Sequence, residues 1–301
     1  MIEAVVVLVR GLQYLLASLT FGLAAFVVLN RAFLDEAGLS QLRRWVGWAA
    51  TVQIVVVPGA LFAQTALMAG AWASALDPHI LLSVATGMGL GAALVARWAA
   101  ATAGGLLFWS GVRGRGFWFP AVLLGLAGVL TFAWTGHGGA TEGAGRVLHQ
   151  TSTAIHAVAG TFWVGALAAF VWLVFRRVEP GSKAERDAAS MLVAFAGSGT
   201  IAVATLVFTG LINAAFLVGV SRVPFPLQSP YGGLLVLKLI LFVAMLALAA
   251  LHRSRLAPQL EAGADGALGC LRLSVMAEFA CGGLVLGLVA VLGILPPPVS
   301  M

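Results

Sequence analysis

Long apolar stretches separated by short polar breaks dominate the sequence. A membrane-spanning helix needs about 20 such residues, since each residue adds about 1.5 Å and the hydrocarbon core is roughly 30 Å thick. We find eight stretches of this size, approximately at 4–29, 46–72, 80–109, 117–136, 150–175, 188–220, 231–251 and 271–295. The third stretch contains Gly87, Gly89, Gly91 and Arg97, so a tilted, kinked or partly re-entrant segment is open there. The pattern predicts an all-α polytopic transmembrane bundle of about eight spans.

Basic residues fall mainly in alternate connections between these spans. Twelve of the 17 Lys and Arg residues follow the first, third, fifth or seventh span, whereas only Arg146 and Arg222 lie in the other connections. The twelve are Arg31, Arg43, Arg44, Arg113, Arg115, Arg176, Arg177, Lys183, Arg186, Arg253, Arg255 and Arg272. Because cytoplasmic loops carry an excess of Lys and Arg, we expect both termini on the outer, periplasmic side. No soluble insertion interrupts the pattern, so residues 1–301 are expected to form a single integral membrane domain.

Composition narrows the class of protein. Residues of the set AVILMFWYC make up 61% of the chain and charged residues only 9%, whereas soluble domains are about 45 to 50% apolar and about 25% charged. A soluble enzyme and a disordered module are therefore excluded. The chain has no GxxxxGK[ST] phosphate loop and no basic recognition stripe, so we expect neither nucleotide nor nucleic acid as a partner. Cys270 and Cys281 show no CxxC spacing, which argues against a structural zinc site.

Three of the five histidines cluster where the fourth and fifth spans meet the outer surface: His137, His149 and His156. His149, His156 and Trp163 recur every seven residues and so share one helix face, with steps of about 10.5 Å. Imidazole suits copper, zinc, iron and nickel. We therefore predict a metal site shared between His137 and one of the other two, or two sites in series. For His156, the alternative interpretation is an ordinary hydrogen bond between helices. For His137 and His149, near the surface, the alternative is a polar residue of the membrane interface.

Two methionines are weaker candidate ligands, because thioether sulfur favours Cu(I). Met68 and Met88 fall toward the outer side of the second and third spans, without an MxxM pattern. His79 is attributed to an ordinary turn and His252 to the membrane interface, so neither is included in the site.

Four charged residues lie within the predicted spans away from their ends, where charge is costly and usually paired or functional. Arg10 and Lys238 fall in the outer third, where cations would suit heme propionates, a quinone headgroup or hydrogen bonds to loop carbonyls. Arg97 and Glu278 fall in the inner half, and their depths predict an ion pair. Asn213, in TGLINAAF, is expected to form a packing hydrogen bond between helices.

Several motifs resemble the copper-resistance protein D (CopD) family. They are RGLQYLLASLTFG near the start, HAVAGTFWVGAL in the fifth span, TGLINAAFLV in the sixth, YGGLLVLKLILF in the seventh and the terminal LGILPPP. The most specific pieces are YG-x5-K, which contains Tyr231 and Lys238, and H-x6-WVG, which contains His156 and Trp163. Ala166 and His252 depart from the family pattern. The resemblance implies a bacterial inner-membrane protein that moves copper from periplasm to cytoplasm with a periplasmic copper-binding partner of the CopC type.

The leading hypothesis is therefore a copper-binding membrane protein, not an enzyme, that accepts Cu(I) or Cu(II) through His137, His149 and His156. A second hypothesis is a redox protein of the b-type cytochrome class, with heme iron bound by His156 and His137. A third is a scaffold that delivers copper to a partner without transporting it.

Overall fold

Eight of the described helices are long and apolar enough to cross a membrane, and no strand occurs in the described residues. The computed structural model describes residues 1–176, 183–219, 229–262, 264 and 266–300. The spanning helices are α1 Ile2–Phe33, α2 Glu36–Ala69, α3 Gly89–Trp109, α4 Arg115–Trp134, α5 Arg146–Phe175, α6 Lys183–Leu217, α7 Pro230–Leu260 and α8 Ala267–Leu292. The predicted all-α transmembrane fold is confirmed.

The third predicted stretch is in fact two helices. A separate short helix, Pro78–Gly87, begins with Asp77 accepting a hydrogen bond from the backbone N–H of His79, and α3 starts only at Gly89. Met88 between them has extended backbone angles, which break the helical path. The two helices meet at Gly91, where a Cβ would overlap the backbone of Val84 and Ala85. The span is therefore nine residues shorter at its start than the hydrophobic pattern suggested.

Basic residues are predicted in alternate connections, and several of these connections lie together at one end of the bundle. We call this end the basic end. Asp35, between α1 and α2, forms an ion pair with Arg176 after α5, at 2.6 Å between Oδ2 and Nη2. Arg43 donates to the backbone carbonyls of Phe108 and Val112, near the end of α3. Three of the connections rich in Arg thus lie together. Arg177 and Arg222, which the charge count also used, lie outside the described residues.

At the opposite end of the bundle, which we call the histidine end, α1 contacts the segments that follow α4 and α8. Arg10 of α1 donates to the carbonyl of Thr135 after α4 and lies against Gly293 after α8. His137, in a single helical turn between α4 and α5, contacts the carbonyl of Leu292. Which end faces the periplasm stays a prediction from the charge count.

Helix α5 forms the centre of the bundle and is the most buried of the eight spans. It crosses α1 where α1 contains a π-helical turn, Ser18–Leu23. Gly22 and Gly165 permit this crossing, because a Cβ on either residue would collide with the backbone of the other helix. On its other sides α5 packs against α6 and α8, whereas α7 packs mainly on α8 and is the least buried span. This arrangement lets α5 present side chains to both α6 and α8.

Candidate functional site at the histidine end

His137 is held by a backbone carbonyl. Its Nε2 lies 2.9 Å from the carbonyl oxygen of Leu292. Because a carbonyl can only accept, Nε2 carries the proton and Nδ1 keeps its lone pair. Burial lowers the pKa of His137 below its usual 6.5, and the nearby Arg10 acts in the same direction against the contact with Leu292. The ring is therefore neutral at pH 7 and able to bind a metal through Nδ1.

His149 lies in the first turn of α5 and is 1% exposed. Its Nδ1 is 2.6 Å from the hydroxyl of Thr141, and its ring stacks on Phe216 of α6 at 4.7 Å between centroids. The Thr141 hydroxyl also lies 3.4 Å from the backbone carbonyl of His137. Thr141 therefore links His137 and His149 into an outer pair. The Nε2 of His149 has no part in these contacts.

His156 lies two helical turns deeper along α5. Its Nδ1 is 2.9 Å from the hydroxyl of Thr209 on α6. That hydroxyl already donates its proton to the carbonyl of Thr205, at 2.6 Å. Thr209 must therefore accept from His156, which puts the ring proton on Nδ1 and leaves the Nε2 lone pair free. The hydrogen bond expected between helices is present, and it leaves His156 with a nitrogen able to bind a metal.

The three histidines do not converge on one point. No group of three or more His, Cys, Asp or Glu side chains in the described part of the chain has the geometry to hold a metal ion. The arrangement instead gives an outer pair, His137 and His149, followed by His156 about 10.5 Å further along α5. Met68 and Met88 lie at the end of α2 and just before α3, at the same end of the bundle, and are 49% and 43% exposed. Both arrangements that the sequence left open, a site shared by His137 and one of the other histidines or two sites in series, stay predictions.

The expected Arg97–Glu278 ion pair is wrong. Glu278 of α8, 2% exposed, instead accepts a hydrogen bond from the indole N–H of Trp163, at 3.1 Å. Its other oxygen lies 3.3 Å from Nδ1 of His252. Nε2 of His252 lies 2.7 Å from the hydroxyl of Ser274. Both nitrogens of His252 are engaged, so this residue is a partner of Glu278 and not a metal ligand.

Arg97 lies at the other end of the bundle. Because α3 begins at Gly89, Arg97 is only eight residues from the histidine end, which is why its predicted depth was wrong. Its guanidinium donates to Thr131, Gln13 and Thr135, all uncharged. For Arg10, the structure bears out a hydrogen bond to a loop carbonyl.

Sequence reasoning missed the polar neighbours of these residues. Thr141 and Thr209 orient the histidines, and His252 with Ser274 completes the surroundings of Glu278. The one available signal was the spacing of Ser274 and Glu278, which at four residues share a face of α8.

Two family models match the chain. The model for the copper resistance protein D-like N-terminal domain matches residues 1–147, and the model for copper resistance protein D matches residues 189–292. The chain belongs to the copper resistance protein D family. With its eight apolar helices, this membership makes it a multi-pass protein of the bacterial inner membrane.

Curated relatives of the copper resistance protein D family agree with this assignment. Copper resistance protein D of Pseudomonas syringae pv. tomato is 35% identical over 180 residues, which are 58% of each chain. Inner membrane protein YebZ of Escherichia coli (strain K12) is 30% identical over 175 residues, also 58% of each chain. Copper transport protein CutJ of Bacillus subtilis (strain 168) is 28% identical over 183 residues, 61% of this chain and 31% of that protein. The matches thus span little more than half the length of the first two relatives. No solved structure matches the chain.

Several residues of the family motifs lie on α6 and α7. Tyr231, in the first turn of α7, is buried, and its ring centroid lies 5.9 Å from that of His137. Lys238 lies two turns further along α7. Asn213 accepts a hydrogen bond from Thr153 of α5 at 3.5 Å, as expected for a packing contact between α5 and α6.

Proposed function

We propose that this chain accepts copper at the histidine end and moves it along α5 toward the basic end. The excess of basic residues at the basic end supports a cytoplasmic position for that end and a periplasmic position for the histidine end. A relative bears the name copper transport protein, which supports transport as the activity. A periplasmic copper-binding partner of the CopC type would supply the metal.

The observation that carries the proposal is the hydrogen bonding of His137 and His156. In each ring one nitrogen donates to a fixed oxygen, and the other is left with its lone pair. Histidines that bind metals typically donate their second ring nitrogen in this way, which fixes the tautomer and the ring orientation. The outer pair would receive copper first, and His156 would receive it next.

Soft donors and a carboxylate continue the path beyond His156. Met245 of α7 and Cys281 of α8 belong to one apolar cluster around Trp163. Thioether and thiolate sulfur both favour Cu(I). Trp163 then contacts Glu278, the buried carboxylate nearer the basic end. Copper passing inward as Cu(I) would meet nitrogen donors, then sulfur, then a negative charge.

Replacing His156 by Ala tests whether this residue binds copper. We expect copper per chain and Cu(I) affinity to fall in the purified variant, because no other imidazole nitrogen lies at this depth on α5. His79→Ala is the matched control, since His79 is exposed beside Asp77. Unchanged Cu(I) affinity in the His156 variant would contradict the proposal.

The two other hypotheses have separate readouts. Heme binding by His137 and His156 is disfavoured, because Nε2 of His137 is occupied by the Leu292 carbonyl and iron would have to take the more crowded Nδ1. Stoichiometric iron with a Soret band in the purified protein would reverse that judgement. Copper uptake by proteoliposomes that contain this chain alone would exclude a purely delivering scaffold.

A further inference from the structure

Two guanidinium groups lie together at the histidine end without a carboxylate partner. Arg97 is 1% exposed and donates to the side-chain oxygens of Thr131 at 2.8 Å, Gln13 at 2.9 Å and Thr135 at 3.2 Å. Arg10 donates to the backbone carbonyl of Thr135 at 3.1 Å. Neither arginine forms an ion pair within the described residues. Every hydrogen-bond acceptor that they contact among the described residues is neutral, and Arg97 also lies 3.8 Å over the ring of Phe132, so no carboxylate of the described chain balances these two charges.

Two buried donors of these residues have no hydrogen-bond partner in the described chain: Nε2 of Gln13, and Nη1 of Arg10, which lies against Gly293 at the end of α8. Gln13 is 3% exposed, and the bond from Arg97 to its Oε1 fixes which way its Nε2 points. Buried donors without acceptors are rare in native proteins, because leaving them unpaired is costly. A missing acceptor is the simplest account of both.

Both residues line one cleft between α1, α2, α3 and the end of α4. The other polar side chains that line the cleft are Gln64 and Thr135. Its remaining walls are apolar and include Leu94 and Phe132. Thr135 directly follows the last residue of α4, so the polar part of the cleft lies near the level where the span meets the membrane surface. A cleft of this kind suits a charged group attached to an apolar body.

We propose that this cleft binds an oxyanion, namely a phosphate group, with Arg10 and Gln13 as its direct donors and Arg97 supplying further positive charge. The phosphate comes either from an anionic phospholipid headgroup or from solution. Guanidinium groups bind phosphate well, because their planar fork matches its oxygens. None of the three candidate copper-binding histidines lines this cleft, although Arg10 also lies near His137.

Thermal unfolding of the fully delipidated protein tests the proposal with three additives: phosphatidylglycerol, inorganic phosphate and uncharged diacylglycerol. A rise in Tm with phosphatidylglycerol alone supports a lipid headgroup, and a rise with inorganic phosphate as well supports a soluble phosphate. No rise with either, or an equal rise with diacylglycerol, would overturn the proposal.

Arg10→Gln should weaken the apparent affinity for the stabilising phosphate compound about tenfold, the effect of one charge-assisted hydrogen bond. The matched control is Arg44→Gln, since Arg44 is exposed near the basic end and donates to Ser40 and Gln41. Equal weakening in both variants would count against the site.

Gln13→Glu provides a second variant that does not depend on weakened binding. A carboxylate at this position supplies from the chain the anion that the two arginines lack. We expect the delipidated variant to have a higher Tm than the delipidated parent protein and to lose its response to phosphate compounds. A lower Tm together with a retained response would overturn the assignment of Gln13.

Discussion

At the residue scale, the hydroxyl of Thr209 determines which nitrogen of His156 can bind a metal. Its own proton goes to the carbonyl of Thr205, so it accepts from Nδ1 and leaves Nε2 open. Thr209→Val keeps the shape of the side chain and removes the acceptor. We expect Cu(I) affinity to fall about 10- to 100-fold, as for other partners of metal-binding histidines. Competition with a Cu(I) chelator measures it.

The control for this prediction is Thr209→Ser, which keeps the hydroxyl and should bind Cu(I) like the parent protein. If Thr209→Val and Thr209→Ser have the same affinity as the parent, the hydroxyl does not orient the ring and the argument for Nε2 fails.

The limits of sequence reasoning also show at this scale. The seven-residue spacing correctly places His149, His156 and Trp163 along one helix, because the spacing is a property of α5 alone. Thr209 is 53 positions away from His156, and its contact depends on how α6 is rotated against α5. His252 was set aside for the same reason: its contact with Glu278 depends on the packing of α7 against α8. Partners on other helices are the part of the site that one sequence does not reveal.

At the element scale, the crossing of α1 and α5 depends on two glycines. A Cβ at Gly165 would overlap the backbone of Ser18, Gly22 and Leu23, with no flexible side chain to move aside. We expect Gly165→Ala to destabilise the protein by about 1 to 3 kcal/mol, the usual cost of overpacking. Unfolding in a denaturing detergent titration measures the change.

Gly283→Ala is the matched control, because Gly283 lies inside α8 with nothing within 4 Å of an added Cβ. It should be neutral or slightly stabilising, since Ala favours a helix more than Gly does. Equal effects of the two substitutions would show that the close crossing at Gly165 does not determine the stability of the protein.

Hydrophobicity predicts the eight spanning helices well. It predicts less well where a helix begins or where its backbone is interrupted. All eight spans are present, because a bilayer demands long apolar helices. Helix α2 begins at Glu36, ten residues before its predicted start, since its first turns are polar and extend beyond the apolar stretch. The break at Met88 lies inside a continuous apolar stretch, so hydropathy did not mark it. That break moved Arg97 toward the histidine end and produced the wrong ion pair.

At the scale of the whole molecule, Glu278 connects three helices on the side of His156 that is nearer the basic end. It accepts from Trp163 of α5 and contacts His252 of α7 from its own position on α8. A buried carboxylate lowers the energy of a cation nearby, and the effect is large where water is excluded. If copper moves along α5, this carboxylate lies on its way toward the basic end.

We therefore expect Glu278→Gln to slow copper uptake by proteoliposomes about tenfold, which corresponds to a barrier about 1.4 kcal/mol higher. Gln keeps an oxygen that accepts from Trp163, so the fold should survive, and Tm checks this. Copper affinity at His137, His149 and His156 should not change. Glu36→Gln is the control, since Glu36 is exposed at the basic end. Uptake equal to that of Glu36→Gln would leave Glu278 a purely structural residue, because a passing cation would then gain nothing from its charge.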